Sequence, residues 1–449
     1  MQTLRNISAL AAALALLGGC AVKNPGASPP LDGFYFPVSV ALGPSASGVE
    51  GRVLFVASSN FDLRYNRGTV LAVDLDQVVA ANGGLDGPVN QAVDPEKGFA
   101  LIDNFAGQML AYRPRSAPVE QRTLFVTSRT ANALYPLHSV GATLACRESS
   151  TSGSQDCLDQ GIALQETTAL RADNPFGLAV HVDATTDART LYITHVRQAD
   201  DPPGSGKSAF SYLAHLDAES LSDLGFIGIG LSPAESIVDS GTAGGLYFTG
   251  RSIGDGSLAL RSLSDGANAK DAGLTGNTSI HDARGLAVSS DKTKLFVTAT
   301  SGNLTTPVYP EGLVIVDISP DPSDATQVLN RVLGFVALPA GASSVQVIAR
   351  PGMRDLVAIS CTKANAVALY DDELGALVAV VGGVQEPYGL VVAPRSPGEP
   401  ALLYVASFGN DTVDVIQIQD PAQRPREATL IGHLGFSAHR PLGVALPSP

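Results

Sequence analysis

The sequence has no tryptophan, and charged residues make up only 16% of its 449 residues. Without tryptophan, the chain cannot carry repeats that are marked by a Trp-Asp pair. The low charged fraction, beside a hydrophobic fraction of 45%, excludes a mostly disordered chain and indicates a large buried core. Basic residues are also scarce, with 29 Lys and Arg against 43 Asp and Glu, so we expect no nucleic-acid partner.

Long apolar runs are missing after the first twenty residues, so no later segment is expected to span a membrane. The first twenty residues have the pattern of an export signal, with Arg5 followed by the apolar run Ile7–Leu17. This run is too short to cross a bilayer as a helix, which takes roughly 20 residues. The segment Leu17–Cys20 (Leu-Gly-Gly-Cys) resembles a bacterial lipobox.

The lipobox resemblance implies that the signal is cut before Cys20, which becomes the lipidated N-terminus. Three acyl chains would then anchor the protein in a membrane of the bacterial cell envelope. Ala21 follows rather than an aspartate, and by resemblance to known sorting rules this favours the outer membrane over the inner one. The alternative is an ordinary cleaved signal with a chance cysteine. We expect a signal peptide over 1–19, a lipidated cysteine and flexible tether over 20–33, and a folded domain over 34–449.

Cysteine is scarce as well, with four in the chain. Cys146 and Cys157 flank a polar, serine-rich loop, and such a pair can form a disulfide in an oxidising envelope. A metal-binding pair is the alternative, although no CxxC motif or nearby histidine supports it. Cys361 ends an apolar strand and is expected to be a small buried hydrophobe.

A short apolar strand recurs seven times along the chain. Its copies are Leu54–Ser58, Leu124–Ser128, Leu191–His195, Leu246–Gly250, Leu295–Ala299, Leu356–Ser360 and Leu403–Ser407. Most copies follow another apolar strand, such as Pro387–Val392, and precede a polar turn and a third strand, such as Thr412–Ile418. A fourth, weaker strand completes some units, such as Val332–Leu338 and Leu377–Val381.

Repeats of this kind predict an all-β fold, a β-propeller with seven blades of four antiparallel strands. Each small sheet is apolar on both faces, so it becomes stable only when neighbouring sheets cover it around a closed ring. A β-sandwich pair and a β-helix are the alternatives, although a β-helix would show a shorter and stricter period. The segment Arg440–Leu446 copies the first strand of a unit, which leaves open whether the chain ends share one blade or an eighth partial blade exists.

Residues Leu403–Gln419 (LYVASFGNDTVDVIQIQ), with Pro387–Val392 before them, resemble the YVTN-type β-propeller repeat. In that family a short aromatic-apolar strand, an asparagine turn and an apolar return strand recur. Leu124–Leu137 and Leu356–Tyr370 match it in part, each with its own asparagine turn. The resemblance covers most of Phe34–Pro449 and implies the propeller fold.

In propellers of this type, ligands and metals gather on the face that bears the loop before each first strand and the turn after each second strand. From these loops and turns we select the candidate ligand residues Asn174, His195, His281, Asp282, Arg284, Glu386 and Arg440. Their mixed charge suits a divalent metal or an anionic ligand at the mouth of the channel. The alternative is that these residues are polar only because they face water.

The chain lacks a nucleophile elbow, an HExxH pair and a c-type haem signature, so no catalytic residues are predicted. We therefore expect a monomeric, non-catalytic binding or scaffold module whose partner is an envelope protein, a peptide or a cell-wall ligand. No cofactor is predicted. The alternative, implied by the repeat family, is a metal-dependent lactonase-like hydrolase, which would need about three to four acidic, Asn or His side chains around one ion at the channel mouth.

Overall fold

A computed structural model describes residues 26–147, 155–164, 173–197, 211–230, 233–242, 245–250, 260–263, 270–271, 282–299, 311–396 and 398–435. These residues form antiparallel β-sheets and one α-helix, α1 (Leu75–Asn82). Within the same ranges, no helix has both the length and the apolar character needed to cross a membrane.

The sheets follow one another along the chain, and we number them as blades in that order. Blade 1 consists of β1 (Pro37–Gly43), β2 (Val53–Ser58), β3 (Gly68–Asp74) and β4 (Phe99–Ile102). Blade 2 consists of β5 (Ala106–Tyr112), β6 (Gln121–Ser128), β7 (Ala133–Val140), β8 (Thr143–Cys146) and β9 (Ile162–Ala163), which pairs with β7. Blade 3 consists of β10 (Asp173–Val182), β11 (Arg189–Arg197), β12 (Ser211–Asp217) and β13 (Asp223–Gly230).

The remaining blades repeat the same strand order. Blade 4 consists of β14 (Ala234–Asp239), β15 (Leu246–Gly250), β16 (Leu260–Leu263) and β17 (Lys270–Asp271). Blade 5 consists of β18 (Ala283–Val288), β19 (Lys294–Ala299), β20 (Gly312–Asp317) and β23 (Arg331–Ala337), with a separate hairpin of β21 (Pro320–Asp321) and β22 (Asp324–Val328). Blade 6 consists of β24 (Ala342–Ile348), β25 (Leu356–Cys361), β26 (Ala366–Asp371) and β27 (Ala376–Gly382). Blade 7 consists of β28 (Pro387–Val392), β29 (Ala401–Ser407), β30 (Thr412–Asp420) and β31 (Arg424–Leu434).

The blades form a closed ring around their first strands. Each first strand contacts the first strands of the two neighbouring blades, and β28 contacts β1 to complete the circle. The predicted β-propeller is therefore confirmed, and two facing layers or an open spiral are excluded. In the described part of the chain, six blades have four strands and blade 2 has a fifth. The segment Arg440–Leu446, considered for ring closure, lies outside the described residues.

Each blade buries both of its faces, because alternate residues of a strand point in opposite directions. In β2, Phe55 packs in one core with Leu124 of blade 2. Leu54 and Val56 pack on the other side with Tyr404 of blade 7. Each large apolar side chain buried in this way stabilises the fold by about 1.5–3 kcal/mol, and each does so only while the next blade is in place.

A turn residue after the second strand joins one blade to the next. Asn132, Asn365 and Asp411 have a left-handed backbone, with φ of 49°, 51° and 57°. Each accepts a hydrogen bond at Oδ1 from a main-chain N–H of the following blade. The acceptor–donor pairs, which we call the turn clasps, are Asn132–Asn174 at 2.8 Å, Asn365–Glu386 at 2.9 Å and Asp411–Phe36 at 2.8 Å. Asn and Asp suit this position because they tolerate the left-handed conformation and carry a short acceptor.

The junction of blades 7 and 1 has a second connection beside the clasp of Asp411 and Phe36. The segment that follows α1 reaches the outermost strand β31, where Gly87 N donates to His433 O at 3.0 Å. His433 N in turn donates to Asp86 Oδ1 at 2.8 Å. The described residues thus close the ring by contacts between two complete blades and not by a shared blade.

The disulfide predicted between Cys146 and Cys157 is present, with 5.4 Å between the two Cα atoms. Cys157 N also donates to Leu101 O of the outer strand of blade 1 at 2.9 Å. The bridged loop therefore ties the rims of blades 1 and 2 together. Cys361 is buried, as its sequence context predicts.

One repeat copy is displaced from its predicted position. Cys361 pairs with Ala342 at the start of β24, in the same way that Ser58 pairs with Pro37 in blade 1. The copy predicted to begin at Leu356 therefore begins one residue later. The sequence led to this error because all residues from Leu356 to Cys361 are buried and apolar or small, so their composition does not fix the register.

Candidate functional site

The seven first strands enclose a central cavity of about 380 Å³. Its wall comes from β1, β5, β10, β14, β18, β24 and β28, one strand from each blade. This volume lies within the range of small-ligand sites. The chemistry of the cavity depends on which side chains the first strands turn towards it.

Every first strand has a β-bulge near its start, where the pairing with the second strand shifts by one residue. In β10, for example, the pairing passes from Pro175 directly to Leu178. A bulge redirects the side chain of the extra residue. The bulge ring, as we call the residues that directly follow the last paired position before each bulge, consists of Val38, Gly107, Phe176, Glu235, Arg284, Ser343 and Tyr388. Five of these line the cavity, namely Val38, Phe176, Glu235, Ser343 and Tyr388.

A hydroxyl of the preceding blade holds the main chain of the bulge ring. Thr194 Oγ1 accepts a hydrogen bond from Gly177 N at 2.8 Å and donates to Glu235 O of blade 4 at 2.6 Å. The same donation recurs in the pairs Thr127–Phe176 at 3.0 Å, Thr249–Arg284 at 3.2 Å and Thr298–Ser343 at 2.8 Å. A side chain at Gly177 would collide with Glu235 O, so this close approach requires glycine. The repeated threonine thus positions a cavity residue of the next blade.

Charged side chains meet where blades 4 and 5 adjoin at the mouth. Arg284 Nη2 binds Asp282 Oδ2 at 3.2 Å. Burial by itself would lower the pKa of Arg284, but the carboxylates of Asp282 and Glu235 outweigh it and raise that pKa. Arg284 therefore stays charged inside the mouth, with one carboxylate bound to it and a second one close by.

Tyr388 belongs to blade 7, and its pKa depends on these charges. Burial raises the pKa of Tyr388, and the negative charges of Glu386 and Glu235 add to the rise, while Arg284 and Arg129 oppose it. The hydroxyl therefore remains protonated at neutral pH and can donate a hydrogen bond to a ligand. The mouth combines this donor with charges of both signs.

Five aromatic rings cover the mouth on the side of blades 7, 1 and 2. This mouth cluster consists of Phe36, Phe61, Phe105, Phe408 and Tyr388. Phe36 and Tyr388 both pack on Phe408, with centroids 4.9 Å and 5.3 Å from it. Phe61 contacts Phe105 at 5.4 Å and Phe408 at 5.6 Å. Phe61 is nevertheless 52% exposed, so the cluster presents aromatic surface to its surroundings.

The backbone beneath two of these rings is strained. Phe36 and Phe105 have φ of 52° and 57°, values that bulky residues rarely adopt. Both stand directly before a first strand, and a hydrogen bond from the second-strand turn holds each carbonyl, from Ser59 N to Phe36 O and from Arg129 N to Phe105 O, both at 3.0 Å. The same left-handed backbone recurs at Asn174, Asp282 and Glu386, so this conformation belongs to the repeat.

The candidate residues chosen from the sequence have different positions in the structure. Asp282, Arg284 and Glu386 all lie at the mouth, and their charges act on one another or on Tyr388. Asn174 is half-buried, and its main chain takes part in a turn clasp. His281 and Arg440 lie outside the described residues, as does Cys20.

His195 does not lie at the mouth, contrary to the sequence prediction. It is fully buried, its Nδ1 lies 3.2 Å from Tyr212 O, and its ring contacts Phe226 with centroids 6.4 Å apart. The physical reason is that both faces of β11 are covered at this level, since Ile193, Thr194 and His195 are all fully buried. Burial lowers the pKa of His195 to about 4, so the side chain is neutral and out of reach of a ligand.

The sequence prediction missed Glu235, Tyr388 and the mouth cluster. Tyr388 occupies the same position in the repeat as Phe176 and Arg284, because each of the three directly precedes a glycine in the first strand of its blade. This alignment was visible in the repeats and would have identified it. Glu235 has serine after it instead of glycine, so its segment did not match the repeat.

The described residues contain no group of three or more His, Cys, Asp and Glu side chains placed to hold a metal ion. Asp282 and Glu235 approach the same arginine, and a third acidic or histidine partner is not placed with them within these ranges. His281, which the lactonase-like alternative would use, is outside them.

No protein-family model matches the chain, and no curated protein matches it. Among solved structures, the chain is similar to hydrazine synthase of Kuenenia stuttgartiensis, with a TM-score of 0.53 and 13% identity over 88% of this chain and 98% of that one. It also aligns with "Dihydro-heme d1 dehydrogenase NirN in complex with DHE", with a TM-score of 0.47 and 12% identity over 89% and 69% of the two chains. At such identities the likeness to hydrazine synthase shows the fold alone.

Replacing Thr194 by valine tests the hydroxyl that positions Glu235. Thr194→Val keeps the shape but leaves Gly177 N and Glu235 O without this partner, and an unsatisfied buried group costs about 1–3 kcal/mol. We expect the free energy of unfolding to fall by about 2–4 kcal/mol in urea denaturation. Thr194→Ser keeps the hydroxyl and should lose much less. A loss in Thr194→Ser that exceeds the loss in Thr194→Val would show that the methyl group, and not the hydroxyl, matters.

The buried His195 should make stability depend on pH. Its pKa is about 4 in the folded protein and 6.5 when unperturbed, so the unfolded chain binds the proton more tightly. The contribution of His195 to the free energy of unfolding is therefore fully present above pH 6.5 and decreases as the pH drops towards 4. His195→Asn keeps a donor for Tyr212 O but cannot be protonated, so its slope in this window should be smaller by up to about 1.4 kcal/mol per pH unit. Parallel slopes for the two proteins would contradict this account.

Proposed function

We propose that the protein is a lipid-anchored β-propeller of the bacterial cell envelope that binds an envelope protein or peptide at its channel mouth and catalyses no reaction. The lipobox pattern before Cys20 supports the anchor, and Ala21 supports the outer membrane as its location. Binding is assigned to the mouth because the aromatic rings, the charged side chains and the turn clasps of the described residues lie together at this end of the ring.

The observation that carries the proposal is the mouth cluster. Monomeric soluble proteins rarely expose a contiguous apolar patch unless it binds something. Here the half-buried rings of Phe36, Phe105, Phe408 and Tyr388 form one aromatic surface, joined through Phe408 and Phe61. Aromatic residues are the usual anchors of protein interfaces, because they bury much area at little loss of side-chain freedom.

The polar groups next to the cluster supply specificity. Tyr388 belongs to both the mouth cluster and the bulge ring, so aromatic surface and charged groups are continuous. Glu235 and Arg284 offer an acceptor and a donor on a main chain that threonines hold in place. A rigid site loses little conformational entropy on binding, which favours affinity.

A photo-crosslinking amino acid introduced at Tyr388 tests the proposal in cells that carry the full-length protein. We expect an adduct with an envelope protein or peptide, because Tyr388 lies where the partner docks. The matched position is Phe335, an aromatic residue of the outer strand β23 that is 38% exposed and far from the mouth. It should give no such adduct.

A further control is Cys20→Ser, which removes the proposed anchor while leaving the propeller intact. With the crosslinker at Tyr388, this variant should give much less adduct because the protein is no longer held at the membrane. Equal adducts at Tyr388 and Phe335, or none at Tyr388, would reject the mouth as the binding site. Full crosslinking after Cys20→Ser would reject the anchor.

A further inference from the structure

The described chain begins against one particular loop. Ala27 O accepts a hydrogen bond from Asn66 N at 3.0 Å, and Ala27 forms a β-bridge with Tyr65. Six peptide links separate Cys20 from Gly26. At about 3.5 Å per residue, they span at most about 20 Å. A lipid on Cys20 therefore keeps the loop that contains Tyr65 and Asn66 within that distance of the membrane.

This tip loop, residues 59–67 between β2 and β3, is a fixed projection. Asn60 closes its base, since its Nδ2 donates to Tyr65 O at 2.7 Å and its Oδ1 accepts from Tyr65 N at 3.1 Å. Leu63 N donates to Asn60 O at 3.0 Å. The residues 61–64 between these contacts are all exposed. Phe61 and Leu63 are thus presented outward by a braced turn.

The composition of the tip loop differs from that of the whole chain. Its charged residues are Asp62, Arg64 and Arg67, a net charge of +1, whereas the chain has a net charge of −14. Arg64 pairs with Asp62 at 2.7 Å, and Arg67 is half-buried and donates to Asn66 O at 2.9 Å. Exposed aromatic and aliphatic side chains beside arginine are typical of surfaces that lie in the headgroup region of a bilayer.

We propose that the tip loop contacts the lipid bilayer, with Phe61 and Leu63 entering the headgroup region. The contact orients the propeller so that the channel mouth opens towards the membrane. This inference rests on the proposed lipid anchor, because the short tether is what brings the tip loop to the bilayer. The ligand of the mouth is then a polypeptide at the membrane surface.

The absence of tryptophan from the sequence makes a direct test available, because a single introduced tryptophan reports on its own surroundings. The full-length lipidated protein would be reconstituted into phosphatidylcholine–phosphatidylglycerol vesicles that contain a nitroxide-labelled phosphatidylcholine. L63W and L374W form a matched pair, since Leu63 and Leu374 are 57% and 58% exposed. Leu374 lies in the turn between β26 and β27, on the opposite face of the ring.

We expect the fluorescence of L63W to lose more than half of its intensity in labelled vesicles and to shift to shorter wavelength, while L374W stays unchanged. F61W should behave as L63W does, which guards against a local effect of one substitution.

Flotation of the same vesicles separates this inference from the proposed function. If the protein floats with the vesicles but neither L63W nor F61W is quenched, the anchor stands and the tip-loop contact is refuted. Equal quenching of L63W and L374W would likewise refute the orientation. If the protein does not float at all, the anchor fails and the inference fails with it.

Discussion

The structure depends on one constraint, that no blade can cover its own faces. Alternate apolar side chains of the second strand pack against two different neighbouring blades. Each sheet therefore contributes to two hydrophobic cores. This requirement explains why the sheets close into a ring and why the junction of blades 7 and 1 carries extra contacts. Stability is therefore a property of the junctions more than of the individual sheets.

The features that recur in the sequence are the ones that serve these junctions. The repeated threonine links a blade to the main chain of the next one, and the turn Asn or Asp does the same at the mouth. These residues serve the fold, so they carry little information about the ligand. Information about the ligand must lie where the blades differ.

The bulge ring is such a place, because its seven positions hold seven different residue types. Hydrogen bonds from neighbouring threonines fix the main chain at several of these positions, which leaves their side chains free to vary without loss of the ring. The mouth cluster adds a surface that apolar periodicity does not reveal. Both features come together only at Tyr388.

Much of the fold could be predicted from the sequence, because its causes are local. Apolar strands, polar turns and the spacing of Cys146 and Cys157 are visible without coordinates. The site was harder to predict, because proximity along the chain does not determine which face a side chain takes. His195 ends its repeat copy and looked accessible, yet its strand continues to Arg197 and both faces of the strand are covered there. Glu235 looked like part of an irregular segment, yet the bulge turns it towards the cavity.

Native-state hydrogen exchange, resolved blade by blade, tests the claim that the blades depend on one another. The account predicts that amides in the second strands β2, β6, β11, β15, β19, β25 and β29 exchange through one common opening, with the free energy of global unfolding. It also predicts that Asp411→Gly, which removes the clasp between blades 7 and 1, lowers the protection of all these strands together. Separate opening free energies for individual blades, or a loss confined to blades 1 and 7, would contradict it.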